Sequence, residues 1–237
     1  MSTAPELGIG TLLGVWAHPD DEAYLSSGLM SCVSDAGGRV VVVTATRGEL
    51  GTDDPTAWPA ERLGPLREEE LRAGLAAVGV HEHRWLGHAD GSLSTVPVEH
   101  GAREVARVID TVRPDVVVTF GPDGMTGHGD HRAVSAWVTS AWHRTGQHAE
   151  LWYATLTPEF HAEWGHLNDR VGLWTGAPPV TAAADLALQV RLSGSRLARK
   201  HRALRAHRSQ TRPLEDLVGA ETYRRWWSTE SFVAATA

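Results

Sequence analysis

The chain has 237 residues and a formal net charge of −7 at neutral pH, and one domain with a well-buried core accommodates this length. We expect a single domain over residues 1–237, and the negative charge argues against a protein that binds nucleic acid through bulk electrostatics. The single cysteine, Cys32, excludes an intrachain disulfide and a thiolate-rich metal site.

The beginning of the chain lacks the features of an exported protein. Residues 1–10 have neither the positively charged nor the apolar region of a signal peptide. No apolar run approaches the length needed to cross a bilayer. We therefore expect a cytoplasmic protein without a membrane span. The sequence leaves the oligomeric state open, and a homo-oligomer is among the states it allows.

Two kinds of apolar segment alternate along the chain. Short continuous runs predict buried parallel strands at residues 12–17, 40–45 and 116–120, with weaker candidates at 84–86 and 151–154. Helical spacing predicts helices at 22–36, 61–78, 98–112 and 131–144, and a later one at about 186–207 with a break near Gly194. This alternation predicts an α/β fold, a Rossmann-like, doubly wound and mostly parallel sheet with helices on both faces.

Two polar clusters follow the first and fourth predicted strands. The first is Ala-His-Pro-Asp-Asp-Glu at residues 17–22, and the second is Gly-His-Gly-Asp-His at residues 127–131. Ligands bind outside the carboxyl ends of the strands in open parallel sheets, and these two strands are neighbours at the switch point of a doubly wound order. We therefore expect the two clusters to meet.

The clusters together offer the donors that a catalytic zinc ion accepts. Three side chains supply two imidazoles and one carboxylate: His18, Asp21 and His131. A catalytic zinc site holds three protein ligands and a water, which the ion activates at neutral pH. Asp20 is placed to accept the proton of this water, and His128, held by Asp130, is placed to face the oxyanion. The predicted metal is Zn²⁺, with Fe²⁺ or Co²⁺ as alternatives because this donor set selects zinc weakly.

Each cluster alone has a simpler explanation. The first is compatible with a helix start in which Asp20 or Asp21 is the N-cap after Pro19. The second is compatible with exposed histidines at a helix start that Asp130 caps. Two such clusters, both directly after buried strands, favour a metal site over helix capping.

The two motifs resemble those of the PIG-L/LmbE-like family of zinc-dependent de-N-acetylases. The first motif follows the first strand, and the second continues as Gly-His-Gly-Asp-His-Arg-Ala-Val from Gly127. The resemblance extends from Leu12 to about Gln210. It implies a hydrolase that removes an acetyl or other acyl group from the nitrogen of a small-molecule amino-sugar conjugate, such as an N-acetylglucosamine derivative.

The resemblance also implies a role for each motif residue. The zinc ligands would be His18, Asp21 and His131. Asp20 would be the general base, His128 would stabilise the tetrahedral intermediate, and Asp130 would orient His128. Some relatives in the mycothiol pathway have a tyrosine that assists the oxyanion, where this chain has Thr126.

Three further residues match the family's substrate-binding positions: Glu49, Arg67 and Asp90. Each has an alternative interpretation. Glu49 is compatible with a solvated loop charge, and Arg67 with a surface ion pair to Glu70 on the same helix. Asp90 precedes a glycine, and Asp-Gly is a common turn dipeptide.

The sequence leaves other functions open. An amidase that cleaves a mycothiol-type thiol conjugate of an amino sugar would need the same catalytic residues. A non-catalytic metal-binding module is disfavoured by Asp20 and His128, because a structural zinc site fills all four positions with protein ligands. A dinucleotide-binding oxidoreductase is disfavoured because no Gly-x-Gly-x-x-Gly follows the first strand.

Overall fold

The structure, a computed structural model, describes residues 7–236. Residues 1–6, part of the segment that lacks signal-peptide features, lie outside the described residues. The strands are β1 (Thr11–Trp16), β2 (Arg39–Thr44), β3 (Glu82–Trp85), β4 (Val116–Phe120), β5 (Glu150–Thr155), β6 (Leu188–Arg191) and β7 (Thr229–Ala234). The helices are α1 (Asp21–Leu25), α2 (Ser27–Asp35), α3 (Ala60–Ala77), α4 (Val98–Val112), α5 (Gly129–Arg144), α6 (Pro158–Val171), α7 (Gly194–Ala206), α8 (Arg208–Val218) and α9 (Ala220–Trp226).

These strands form one sheet in the order β3-β2-β1-β4-β5-β7-β6. The first five pair in parallel, and β7 runs antiparallel to both β5 and β6. The predicted α/β fold with a Rossmann-like, doubly wound and mostly parallel sheet is therefore confirmed. β1, β2 and β4 are almost entirely buried, as continuous apolar strands covered on both faces must be.

The switch point of the sheet positions the two polar clusters. β1 pairs in parallel with both β2 and β4, as the sequence predicted for the first and fourth strands. β1 ends at Trp16 and β4 ends at Phe120. The segments that follow them, which lead into α1 and α5, therefore open at the same edge of the sheet.

Two predicted helices are wrong in part. The helix predicted at 22–36 is broken into α1 and α2 at Ser26, whose φ of −145° is not helical. In the helix predicted at 186–207, residues 188–191 form β6, because Leu188 and Val190 alternate with polar residues and pair with β7. The predicted break near Gly194 is confirmed, since α7 begins there.

None of the helices described among residues 7–236 combines the length and the apolar character that a transmembrane segment needs.

Candidate active site

The side chains of the two clusters meet at the carboxyl edge of β1 and β4. Nδ1 of His18 lies 3.2 Å from Nε2 of His131. Oδ2 of Asp21 lies 3.8 Å from Nδ1 of His18, and Oδ1 of the same carboxylate lies 3.4 Å from Nε2 of His131. Ligand atoms 2.0–2.2 Å from a tetrahedral ion lie about 3.3–3.6 Å from one another, and the three separations, which involve both oxygens of Asp21, lie close to that range.

The hydrogen bonds at the back of each ring support the same conclusion. Nδ1 of His131 lies 3.0 Å from the carbonyl oxygen of Gly124, so this nitrogen carries the proton and Nε2 presents its lone pair. Nε2 of His18 faces the carboxylates of Asp90 and Asp130 and therefore donates, which leaves Nδ1 toward His131. A positive charge, either a proton or a metal ion, has to lie between these two nitrogens and Asp21.

Burial and charge shift the pKa of both histidines proposed as ligands. Burial lowers the pKa of His18, but hydrogen bonds to Asp130 and Asp90 outweigh burial and raise it to about 10 in the protein alone. Burial, together with the charges of His18 and His128, lowers the pKa of His131 to about 3, so this ring is neutral near pH 7. The carboxylates that favour a proton on His18 favour a divalent cation at the same place.

Asp20 does not serve as a helix cap. Its side chain makes no capping hydrogen bond at the start of α1, while Asp21 accepts the backbone N–H of His18 at 2.8 Å. The carboxylate of Asp20 lies 3.4 Å from the guanidinium of Arg67. Burial raises the pKa of Asp20 to about 6, opposed by Arg67 and reinforced by Asp21. A carboxyl group with such a pKa is suited to general-base chemistry near neutral pH.

The second cluster differs from the prediction in one contact. His128, rather than Asp130, caps α5, because its Nδ1 accepts the backbone N–H of Asp130 at 3.2 Å. The prediction that the side chain of Asp130 orients His128 is wrong. That carboxylate turns the other way, accepts the backbone N–H groups of Gly91 and Leu93, and faces Nε2 of His18 at 3.3 Å.

His128 itself is exposed and lies beside the proposed ligands. Its ring stands edge-on to that of His18, with centroids 5.1 Å apart. The ligand nitrogens of His18, His128 and His131 all lie within 4.8 Å of one another. Because Nδ1 of His128 is occupied by a backbone N–H, Nε2 is the nitrogen that can donate a hydrogen bond into the site.

Arg67 is buried beside Asp20 rather than paired at the surface. The residue is only 4% exposed. Its guanidinium donates to the carbonyl oxygens of Gly48 and Pro19 and pairs with Asp20. The alternative of a surface ion pair with Glu70 is wrong. Arg67 connects α3 to the segment that carries the first motif, and its contact with substrate stays a prediction.

A hydrogen bond connects Asp90 and Glu49. Oδ1 of Asp90 lies 3.0 Å from Nε2 of His18, and Oδ2 accepts the backbone N–H of Leu50. Oε1 of Glu49 accepts the backbone N–H of Asp90, whereas Oε2 is buried without a hydrogen-bond partner among residues 7–236. The carboxylate of Asp90 therefore contacts His18, while Oε2 of Glu49 has no hydrogen-bond donor among the described residues.

Three further residues lie at the site, and the sequence assigned none of them a catalytic or binding role. Glu22, the last residue of the first motif, is buried and lies 2.9 Å from the ring of His207, from the junction of α7 and α8. Thr126 places its hydroxyl oxygen 3.3 Å from Nδ1 of His131. Glu22 had a signal in the sequence, since it belongs to the motif, but the distant His207 had none that linked it to Glu22.

Comparisons with known proteins agree with this geometry. The family model described as GlcNAc-PI de-N-acetylase, PIG-L, matches residues 13–142. A 1D-myo-inositol 2-acetamido-2-deoxy-alpha-D-glucopyranoside deacetylase of Saccharomonospora viridis is 34% identical over 227 residues, which cover 84% of this chain and 84% of that protein.

Solved structures share the fold at lower identity. N,N'-diacetylchitobiose deacetylase from Pyrococcus horikoshii has a TM-score of 0.64 at 19% identity, covering 96% of this chain and 84% of that chain. GalB, the 4-carboxy-2-hydroxymuconate hydratase of Pseudomonas putida KT2440, also has a TM-score of 0.64, at 15% identity, and the match covers 96% of both chains. A deacetylase and a hydratase share this architecture, so the fold alone does not define the reaction.

Proposed function

The chain belongs to the PIG-L family of de-N-acetylases, and from that premise we propose that it hydrolyses the N-acetyl group of an N-acetylglucosamine conjugate. The observation that carries the proposal is the convergence of His18, Asp21 and His131, whose donor atoms face one another at 3.2–3.8 Å. As a family member it is a metal-dependent hydrolase. The identity of the metal, the substrate and the role of each residue are parts of the proposal.

The metal that best suits these donors is Zn²⁺, with Fe²⁺ and Co²⁺ as alternatives, and the ligands would be His18, Asp21 and His131. When bound, the ion supplies Lewis-acid chemistry that activates water and polarises the amide carbonyl. The protein fixes the donor atoms through contacts behind them. Gly124 orients the ring of His131, and the backbone of His18 holds Asp21.

Asp20 is proposed as the general base. It lies next to a ligand in sequence, is not used as a helix cap, and has a pKa raised by burial to about 6. Its carboxylate would take a proton from the attacking water and deliver it to the leaving nitrogen. His128 would donate from Nε2 to the oxygen that gains charge in the transition state, because Nδ1 already accepts the N–H of Asp130.

The proposed substrate is a small N-acetylglucosaminyl conjugate of the kind named for the Saccharomonospora viridis relative, in which the sugar is joined to inositol. Glu49 supports sugar binding, since one of its carboxylate oxygens is buried and unpartnered among the described residues. Such an oxygen suits a sugar hydroxyl donor. Arg67 and Asp90 would act mainly by fixing Asp20 and His18. The cytoplasmic location stays a prediction.

The first experiment is metal analysis of the purified protein with an acetate-release assay on N-acetylglucosaminyl-inositol. Asp20→Asn should keep the metal and lower kcat by about two to four orders of magnitude, as loss of a general base does. His131→Ala should lose the metal. Full activity of Asp20→Asn would contradict the proposed mechanism. Release of no acetate by the metal-loaded wild type from any N-acetylglucosaminide, including chitobiose and phosphatidylinositol conjugates, would contradict the proposed substrate class.

A further inference from the structure

The backbone of Asp20 adopts a conformation that its side chain disfavours. Its φ is +110° with ψ −26°, in the left-handed region where residues other than glycine are rare. Such a conformation is strained and persists only where the surroundings fix it. The residue proposed as general base is thus held in a strained position, and the contacts that hold it become part of the site.

Glu22 supplies the contact on one side of this strained residue. Its Oε2 accepts the backbone N–H of Asp20 at 3.1 Å. The carbonyl oxygen of Asp20 accepts the N–H groups of Ala23 and Tyr24 at 2.9 and 3.0 Å, which are the first hydrogen bonds of α1. Two side chains therefore fix the peptide before Asp20, Glu22 at its N–H and Arg67 at the carbonyl oxygen of Pro19, while the helix fixes the peptide after it.

His207 in turn fixes Glu22. Nε2 of His207 lies 2.9 Å from Oε1 of Glu22, and the exposed fractions of these residues are 0% and 1%. A carboxylate only accepts, so Nε2 of His207 carries the proton. The ring is packed against α3, where a Cβ atom on Gly74 would lie 2.8 Å from Nε2. Because this buried ring holds Oε1 of Glu22, the other carboxylate oxygen, Oε2, is directed at the N–H of Asp20.

We propose that Glu22 and His207 form a positioning pair that holds Asp20 in its left-handed conformation and thereby aims the general base at the reacting water. The inference rests on the proposed role of Asp20. The metal ligands have separate supports, namely Gly124 behind His131 and the two carboxylates behind His18. The pair therefore acts on the base, and its loss should lower kcat while metal binding is retained.

The test compares substitutions at Glu22 in the full chain loaded with Zn²⁺, assayed on N-acetylglucosaminyl-inositol. Glu22→Ala removes the acceptor, and Glu22→Asp keeps the charge but is one methylene too short to reach both partners. Both should lower kcat by about 10- to 100-fold, the effect of misplacing a catalytic group by about 1 Å. KM and zinc stoichiometry should stay at the wild-type values, since neither sugar contacts nor ligands change.

Glu22→Gln is the conservative variant that a positioning role predicts to be active. Its amide oxygen can accept the N–H of Asp20, and its NH₂ can donate to His207 after that ring changes tautomer. We expect kcat within about threefold of wild type, because both hydrogen bonds are retained. The matched control is Glu215→Ala, which removes another buried carboxylate, on α8, that pairs with Arg205 and His201 of α7. It should leave kcat unchanged.

The outcomes separate the inference from the proposed function. Wild-type kcat in Glu22→Asp, or loss of zinc from it, overturns the positioning role, as does an equal loss of kcat in Glu215→Ala. If Glu22→Ala does not fold, Glu22→Asp and His207→Ala carry the same expectation. If Asp20→Asn is inactive but Glu22→Asp is fully active, only this inference fails. If Asp20→Asn is itself fully active, the proposed function of Asp20 fails first.

Discussion

The two nitrogens of the His18 ring face different pairs of residues, and these neighbours determine what each nitrogen can bind. Nδ1 faces His131 and Asp21, whereas Nε2 faces Oδ1 of Asp90 at 3.0 Å and Oδ2 of Asp130 at 3.3 Å. A carboxylate behind a ligand histidine fixes its tautomer and raises its basicity. Two carboxylates behind one ring indicate that this position is built to hold a cation.

This arrangement predicts that Asp130 controls metal affinity more than it controls His128. Asp130→Asn removes the charge beside His18 and leaves one amide oxygen, which can accept from Gly91 or from Leu93 but not from both, since these N–H groups bond to different carboxylate oxygens. We expect affinity for Zn²⁺ to fall by about 10- to 100-fold, the usual effect of removing a carboxylate behind a ligand. Competition with a chromogenic chelator measures this change without the need for a substrate.

The control for Asp130→Asn is Asp115→Asn. Asp115 accepts the backbone N–H of Thr11 at the other end of β1 and does not contact the site. Its substitution should leave zinc affinity unchanged. Equal affinities of wild type and Asp130→Asn would show that the carboxylate does not support His18.

Only part of the chemistry of the single residues was accessible from the sequence. The convergence of His18, Asp21 and His131 could be predicted because each lies in a short motif directly after a buried strand. The contact of the Asp130 carboxylate with His18 could not be predicted, because the backbone N–H of Asp130 binds His128 while its carboxylate points to other residues. The carboxylate contacts a loop near residue 91, about forty residues away in sequence, and no local pattern encodes that contact.

At the scale of elements, the helix that carries the second motif is fixed by close packing. α5 lies against α4, and the contact has no space for a side chain at Gly101 because a Cβ atom there would overlap the ring of Trp137. Trp137 is fully buried in α5, the helix that begins next to His128 and includes His131. The position of the second cluster therefore depends on a glycine in a different helix.

Gly101→Ala should destabilise the protein. Overpacking a filled core costs about 1–3 kcal/mol, which outweighs the gain of about 0.5–1 kcal/mol from replacing a helical glycine by alanine. Gly165→Ala in α6 is the matched control, since a Cβ atom there would meet the nearest atom at an ordinary 3.5 Å. It should be neutral or slightly stabilising. Urea unfolding of both variants measures the difference, and equal stabilities would contradict this account of the packing.

Helices and strands could be predicted where their own residues carry a clear apolar pattern. β1, β2 and β4 are apolar runs that need burial on both faces, and all three form where the runs predict. β7 could not be predicted, because it depends on pairing with its antiparallel neighbours β5 and β6 rather than on a pattern of its own. α9 was not predicted either. The break between α1 and α2 is also invisible in the apolar spacing, which continues across Ser26.

At the scale of the whole molecule, a buried ion pair between α7 and β7 contacts the helices α1 and α2 near the first motif. Nζ of Lys200 donates to the carbonyl oxygen of Tyr24 and to the carboxylate of Glu230 in β7. That carboxylate also accepts the N–H groups of Gly28 and Leu29, at 2.7 and 2.8 Å, at the start of α2. Segments separated by about 200 residues thus share one polar centre next to the helix pair that follows the first motif.

A double-mutant cycle tests whether this centre acts as a unit. Lys200→Met leaves the carboxylate of Glu230 buried without its cation, and breaking such a pair costs about 3–5 kcal/mol of unfolding free energy. In Lys200→Met/Glu230→Gln the charge is gone and the amide oxygen still accepts an N–H of α2, so the double variant should be more stable than Lys200→Met alone. Urea unfolding of the wild type, Lys200→Met, Glu230→Gln and the double variant gives the four free energies of the cycle. If the two substitutions instead lower stability additively, Lys200 and Glu230 are independent, and the C-terminal strand is held to the first motif by apolar packing, with Phe232 and Trp226 at its centre.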